Sequence, residues 1–144
     1  MLPSVRISLL SISLLSVITA VSAQSLLPEK PGDRQRFTAI VEMKNAYLSG
    51  ICIMVRDSDL MKCSVFNEFG VSAIDFSYSP KKDKVKLHSV VGRMDKWYIR
   101  YVLKRDLRRL INNLRNGIPS YINDRQHIKY SFKPLILEDN ATGE

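Results

Sequence analysis

The chain reads as an α+β protein in which a curved antiparallel meander of about six strands is covered by one long amphipathic helix. Two periodicities predict this. Between Phe37 and Val91 apolar residues recur at every second position, interrupted by clusters of turn residues, as half-buried strands require. From Asp95 to Asn116 they recur at threes and fours, the spacing of one helix face. An apolar N-terminal run then sets where the fold begins.

That run spans Ile7 to Val21, follows Arg6, and is broken by Ser8, Ser11, Ser13 and Ser16 before Val21-Ser22-Ala23. A charged start, a short apolar stretch and small residues ahead of Gln24 predict a cleavable signal peptide over 1–23, and so an exported, periplasmic or secreted protein. Gln24 offers no thiol for acylation, so no lipid anchor is expected. Residues 24–34 contain Pro28, Pro31 and Gly32 without periodicity and read as a flexible leader. A single domain is expected over 35–137, with a disordered tail over 138–144.

Phe37, Ala39, Val41 and Met43 alternate with polar neighbours and form the first strand. Leu48 to Arg56 is apolar on both faces, and the chain returns through Met61, Cys63 and Val65 after Asp57-Ser58-Asp59. Asn67 to Gly70 turns it again into Ile74, Phe76 and Tyr78, and Pro80 to Asp83 turns it into Val85, Leu87, Ser89 and Val91. The helix over 96–116 carries Ile99, Val102, Leu103, Leu107, Leu110, Ile111 and Leu114 on one face, with Asp95 as its expected cap and Asn116-Gly117 as its end. After Pro119, Ile128, Tyr130 and Phe132 form another strand, and Pro134 with Leu135 to Leu137 add a short edge.

Cys52 and Cys63 form an even pair, which suits an oxidising compartment and permits a disulfide. The register decides. A two-residue turn at Asp57-Ser58 sets the two cysteines directly opposite, whereas a loop from Asp57 to Leu60 sets Cys52 against Val65.

Charge narrows the partners. Of 22 Lys and Arg residues only Arg6 lies in the first 23, so 21 remain against 14 Asp and Glu, a formal +7. Such a surface attracts polyanions; in an exported protein those are lipid head groups, lipopolysaccharide or acidic glycans, and no nucleic acid is expected. The helix concentrates this charge: Arg100, Lys104, Arg105, Arg108, Arg109 and Arg115 lie off its leucine stripe and form an anion- or membrane-facing surface.

Catalytic chemistry finds little footing. There is no G-x-S-x-G, P-loop, dinucleotide fingerprint or CxxC, and His88 and His127 stand 39 positions apart, each on the polar side of a strand by alternation and without further ligands, so neither an enzyme, a cofactor nor a metal is expected. Asp57-Ser58-Asp59 lacks the glycine and glutamate of a calcium loop and reads as a turn. Glu68 and Asp75 read as solvated loop and strand carboxylates, and Asn140-Ala141-Thr142 matches a glycosylation sequon. Aromatic residues are plentiful, and Met54, Phe66, Phe76, Tyr78, Trp97 and Tyr101 are the candidates to line an apolar groove.

Tyr47-Leu48-Ser49-Gly50-Ile51, the hairpin through Arg56 and Asp59, Phe66-Asn67-Glu68-Phe69-Gly70 and Ile74-Asp75-Phe76 resemble the periplasmic lipoprotein-localisation carriers and their uncharacterised envelope relatives. The resemblance implies a half-open antiparallel barrel with a helix as lid and an aromatic-rich concavity for acyl chains. The functional expectation is a non-enzymatic envelope module that holds an acyl chain or lipoprotein in its groove. The alternative is an interaction protein whose basic helix face holds anionic membrane or a protein partner.

Overall fold

A computed structural model describes residues 24–136. The expected signal peptide, the tail and the sequon lie outside the described residues. The elements run β1 (Arg34–Met43), β2 (Ala46–Asp57), β3 (Leu60–Asn67), β4 (Ser72–Ser79), β5 (Lys84–Val90), α1 (Trp97–Arg115), β6 (Ser120–Asn123) and β7 (Ile128–Pro134). All seven strands join one antiparallel sheet in the order β5-β4-β3-β2-β1-β7-β6, curled into a half-barrel around α1.

The curl has local causes. Register shifts at Val65/Phe66 and Asp75/Phe76 bend the sheet where β3, β4 and β5 meet. Gly50 lets β2 and β3 close up, because a Cβ there would stand 1.7 Å from the Phe66 carbonyl oxygen. Asn67 fixes the β3–β4 turn, its Oδ1 accepting from the amides of Phe69 and Val71, both at 3.0 Å. The concave face is then filled: Phe37, Ala39 and Val41, Cys52 and Met54, Met61, Cys63 and Val65, and Phe76 and Tyr78 are all buried.

α1 closes the open side by touching β5 and β6, the two edges of the sheet. Leu103, Leu107, Leu110, Ile111 and Leu114 are fully buried beneath it, each worth roughly 1.5–3 kcal/mol of apolar burial. Its end is the expected one: Gly117 has φ +79° and its amide donates to the Leu114 carbonyl at 3.0 Å. Its start is not. Asp95 makes no cap; its carboxylate pairs with Arg100 at 2.7 Å, and Lys96 occupies the cap position in extended conformation.

Four further expectations change. The sheet has seven strands, because Ser120–Asn123 pairs with β7 although Pro119 and its four-residue length hide it from periodicity. β7 is interior, between β1 and β6, and the expected edge beyond Pro134 is represented by the Leu135 amide donating to the Arg36 carbonyl at 2.8 Å. His127 sits in the β6–β7 turn with φ +54° rather than on a strand. The leader is tied down: the Leu26 amide donates to the Leu114 carbonyl at 3.0 Å, Gly32 and Asp33 exchange backbone bonds with Arg56, and Leu26 and Leu27 pack on the core.

The cysteine register follows the longer loop. Asp57 pairs with Leu60 around Ser58-Asp59, Cys52 faces Val65, and Cys63 faces Met54. Both thiols are free and buried, one diagonal step apart, and burial pushes both well above the usual thiol range.

Candidate ligand-binding face

The six groove candidates do not share a groove. Met54, Phe76 and Tyr78 are fully buried parts of a filled core, and Phe66 stands half-buried on the convex face opposite Ile51. Trp97 and Tyr101 lie in solvent on α1. The physical reason is that α1 packs directly onto the concave side chains, so the half-barrel encloses leucines rather than space.

What the structure brings together instead lies around the first two turns of α1. Trp97, Tyr98 and Tyr101 are 81%, 50% and 66% exposed, and Trp97 meets Tyr98 edge-on at 5.8 Å between ring centroids. On one side of this ridge, Tyr98, Ile99 and Val102 form an apolar groove of about 300 Å³ with Met43, Ala46 and Ile128, rimmed by Lys44, Asn45 and Gln126. On the other, Tyr101, Lys104, Arg105 and Arg108 face Asp83, Lys84 and Val85 across a cleft of about 390 Å³ between α1 and β5. Lys86, Leu87, Trp97 and Arg100 extend it toward the helix start.

The expected basic face is divided. Arg109 donates to the Tyr121 hydroxyl at 2.8 Å and lies over its ring. Arg115 donates to the Tyr78 hydroxyl at 3.1 Å, and Arg100 is paired with Asp95. Lys104, Arg105 and Arg108 remain to the cleft, with Arg108 3.6 Å from Asp83.

Two polar clusters hold the other half of the helix. Asp106, fully buried on the leucine stripe, accepts from Asn123 Nδ2 at 3.0 and 2.9 Å and from the Tyr130 hydroxyl at 2.7 Å. This locks α1 to β6 and β7, and burial together with Asp106 raises the Tyr130 phenol far above its usual range. Sequence reading missed Asp106, although its place three residues after Leu103 and four before Leu110 marks an acid on an apolar face. On the β5 side, Asp83 Oδ1 accepts from the Tyr78 hydroxyl at 2.7 Å and from Asn112 Nδ2 at 2.9 Å. These bonds and the nearby arginines hold the Asp83 carboxyl below its ordinary range, while burial, helped by Asp83, pushes Tyr78 up to about 12.

The remaining candidates are dispersed. His88 Nε2 lies 2.9 Å from the Ser77 hydroxyl, Asp75 accepts from the Ser72 hydroxyl, and Glu68 is exposed in a turn. Among the described residues no three His, Cys, Asp or Glu side chains group to hold a metal ion, and no helix is long and apolar enough to cross a membrane. Comparison with protein-family models, with curated proteins and with solved structures returned no match.

Proposed function

We propose that this protein is a non-enzymatic binding module of the cell envelope that docks on an anionic lipid surface through the start of α1. The observation that carries the reading is the exposed Trp97–Tyr98–Tyr101 ridge set among cations. Aromatic rings with a polar edge are stable at the level of lipid head groups, where one side is apolar and the other wet. Each cation held near anionic lipid adds about 1 kcal/mol. The helix itself does not insert, since its leucine stripe is committed to the sheet; the ridge is what reaches the membrane. The reading takes the protein to be exported, as residues 1–23 predict.

Trp97 is the only tryptophan of the chain, so its emission reports docking directly. Vesicles containing phosphatidylglycerol are expected to shift that emission to the blue and to carry the protein down on sedimentation. The effect weakens as salt rises, and neutral phosphatidylcholine vesicles are expected to do neither. Tyr98→Ala/Tyr101→Ala is expected to weaken sedimentation about tenfold. Equal binding to neutral vesicles, or none to anionic ones at low salt, removes the reading.

A second reading rests on the groove beside Tyr98. Its walls are apolar and its volume of about 300 Å³ lies at the small end of ligand sites, so an acyl chain, free or on a lipoprotein, is the occupant it would take. Native mass spectrometry of protein from an envelope fraction tests this, and retention of fatty acid that is indifferent to salt separates it from electrostatic docking.

A further inference from the structure

Building on the docking reading and naming the chemistry its basic side recognises, we propose that the cleft between α1 and β5 is a phosphate site selective for phosphomonoesters. Four cations line it from two elements: Lys84 at the start of β5, and Lys104, Arg105 and Arg108 from two successive turns of α1. The one acid in the lining is Asp83, and it is occupied. Its Oδ1 accepts from Tyr78 and Asn112 at 2.7 and 2.9 Å, and its Oδ2 faces Arg108 at 3.6 Å.

Lys84, Lys104 and Arg105 therefore have no carboxylate within ion-pair distance among the described residues. A second observation concerns Arg105: its Nε is buried and makes no hydrogen bond among the described residues, so that nitrogen is committed to no acceptor within the protein. A guanidinium matches phosphate oxygens in bidentate geometry, and the lysines add point charges on either side. Four cations against one satisfied carboxylate leave a local excess of three charges, which a phosphomonoester, approaching two negative charges at neutral pH, offsets better than a singly charged diester. Tyr101 at the rim joins the cleft to the docking ridge, so a lipid carrying a terminal phosphate reaches both at once.

The test compares vesicles of phosphatidic acid with vesicles of phosphatidylglycerol at matched surface potential, alongside a titration with inorganic phosphate followed by backbone amide NMR. Phosphatidic acid is expected to bind about tenfold more tightly. Lys84→Gln/Lys104→Gln is expected to bring the two lipids level, whereas Lys129→Gln/Lys133→Gln, which removes the same charge from the convex face, keeps the preference. Phosphate is expected to shift amides at Lys84, Lys104, Arg105 and Arg108. If the two lipids bind alike in the native chain, or phosphate shifts scatter over all surface lysines, the cleft proposal is overturned while docking stands. If neither vesicle binds, docking fails; phosphate shifts confined to the cleft then support the proposal with a soluble phosphomonoester as the source, and their absence overturns it too.

Discussion

From Leu103 to Leu114, α1 turns five apolar side chains and Asp106 fully into the protein, whereas its first turns leave Trp97, Tyr98 and Tyr101 in solvent. The C-terminal half is fixed twice over, by Asp106 to Asn123 and Tyr130 on one side and by Asn112 and Arg115 to Asp83 and Tyr78 on the other. The N-terminal half has no side-chain cap and opens onto a groove and a cleft. One helix thus divides its labour by position. The half that holds the half-barrel shut is packed and polar-locked on its inner side while Lys104, Arg105 and Arg108 on its outer side line the cleft, and the first turns carry large side chains that packing does not use.

That contrast can be broken by substitution. Leu110→Ala is expected to cost ~2–5 kcal/mol in urea unfolding followed by circular dichroism, since the side chain is wholly buried between helix and sheet. Trp97→Ala in the same assay is expected to stay within ~0.5 kcal/mol, and a comparable loss would show that the two halves are equally structural.

Asp106→Ala comes next, at ~1–3 kcal/mol, because it strands the Asn123 amide and the Tyr130 hydroxyl in the interior. Amide exchange sharpens the point: β6 and β7 are expected to lose protection first in that variant. Uniform loss across the sheet would show that Asp106 is not a local lock.

The smallest effect concerns pH. Asp83 is held below its ordinary value of 3.8 first by Asn112, then by Tyr78, so it stabilises the fold above that value and ceases to as pH falls through its lowered value. Acid unfolding of Asp83→Asn is therefore expected to be shallower below about pH 4 than that of the native chain. Identical acid limbs would remove Asp83 from the clasp.

Much of this architecture was legible beforehand, and the reasons are particular. Val85, Leu87 and Phe76 announce strands because alternation is a property of neighbouring residues, and Leu103 through Leu114 announce a helix for the same reason. Asp95 misled because any acid before an apolar run resembles a cap, and only backbone geometry shows that Lys96 takes that place. Ser120–Asn123 escaped because four residues carry too little period. The groove candidates failed together for one cause: an aromatic side chain reads alike whether it fills a core, as Phe76 and Tyr78 do, or stands in water, as Trp97 does.

By itself the sequence determined the fold class, the turns at Asn67 and Gly117, the helix and its excess of positive charge, all of which depend on residues close along the chain. Tertiary structure alone decided that β7 lies between β1 and β6, that Cys52 faces Val65, that Asp106 is buried, and that Lys84 meets Arg105 across a cleft. Those outcomes depend on which strands pair and on how the helix fills the concavity, and such long-range choices are set by the packing of the whole molecule rather than by any local pattern.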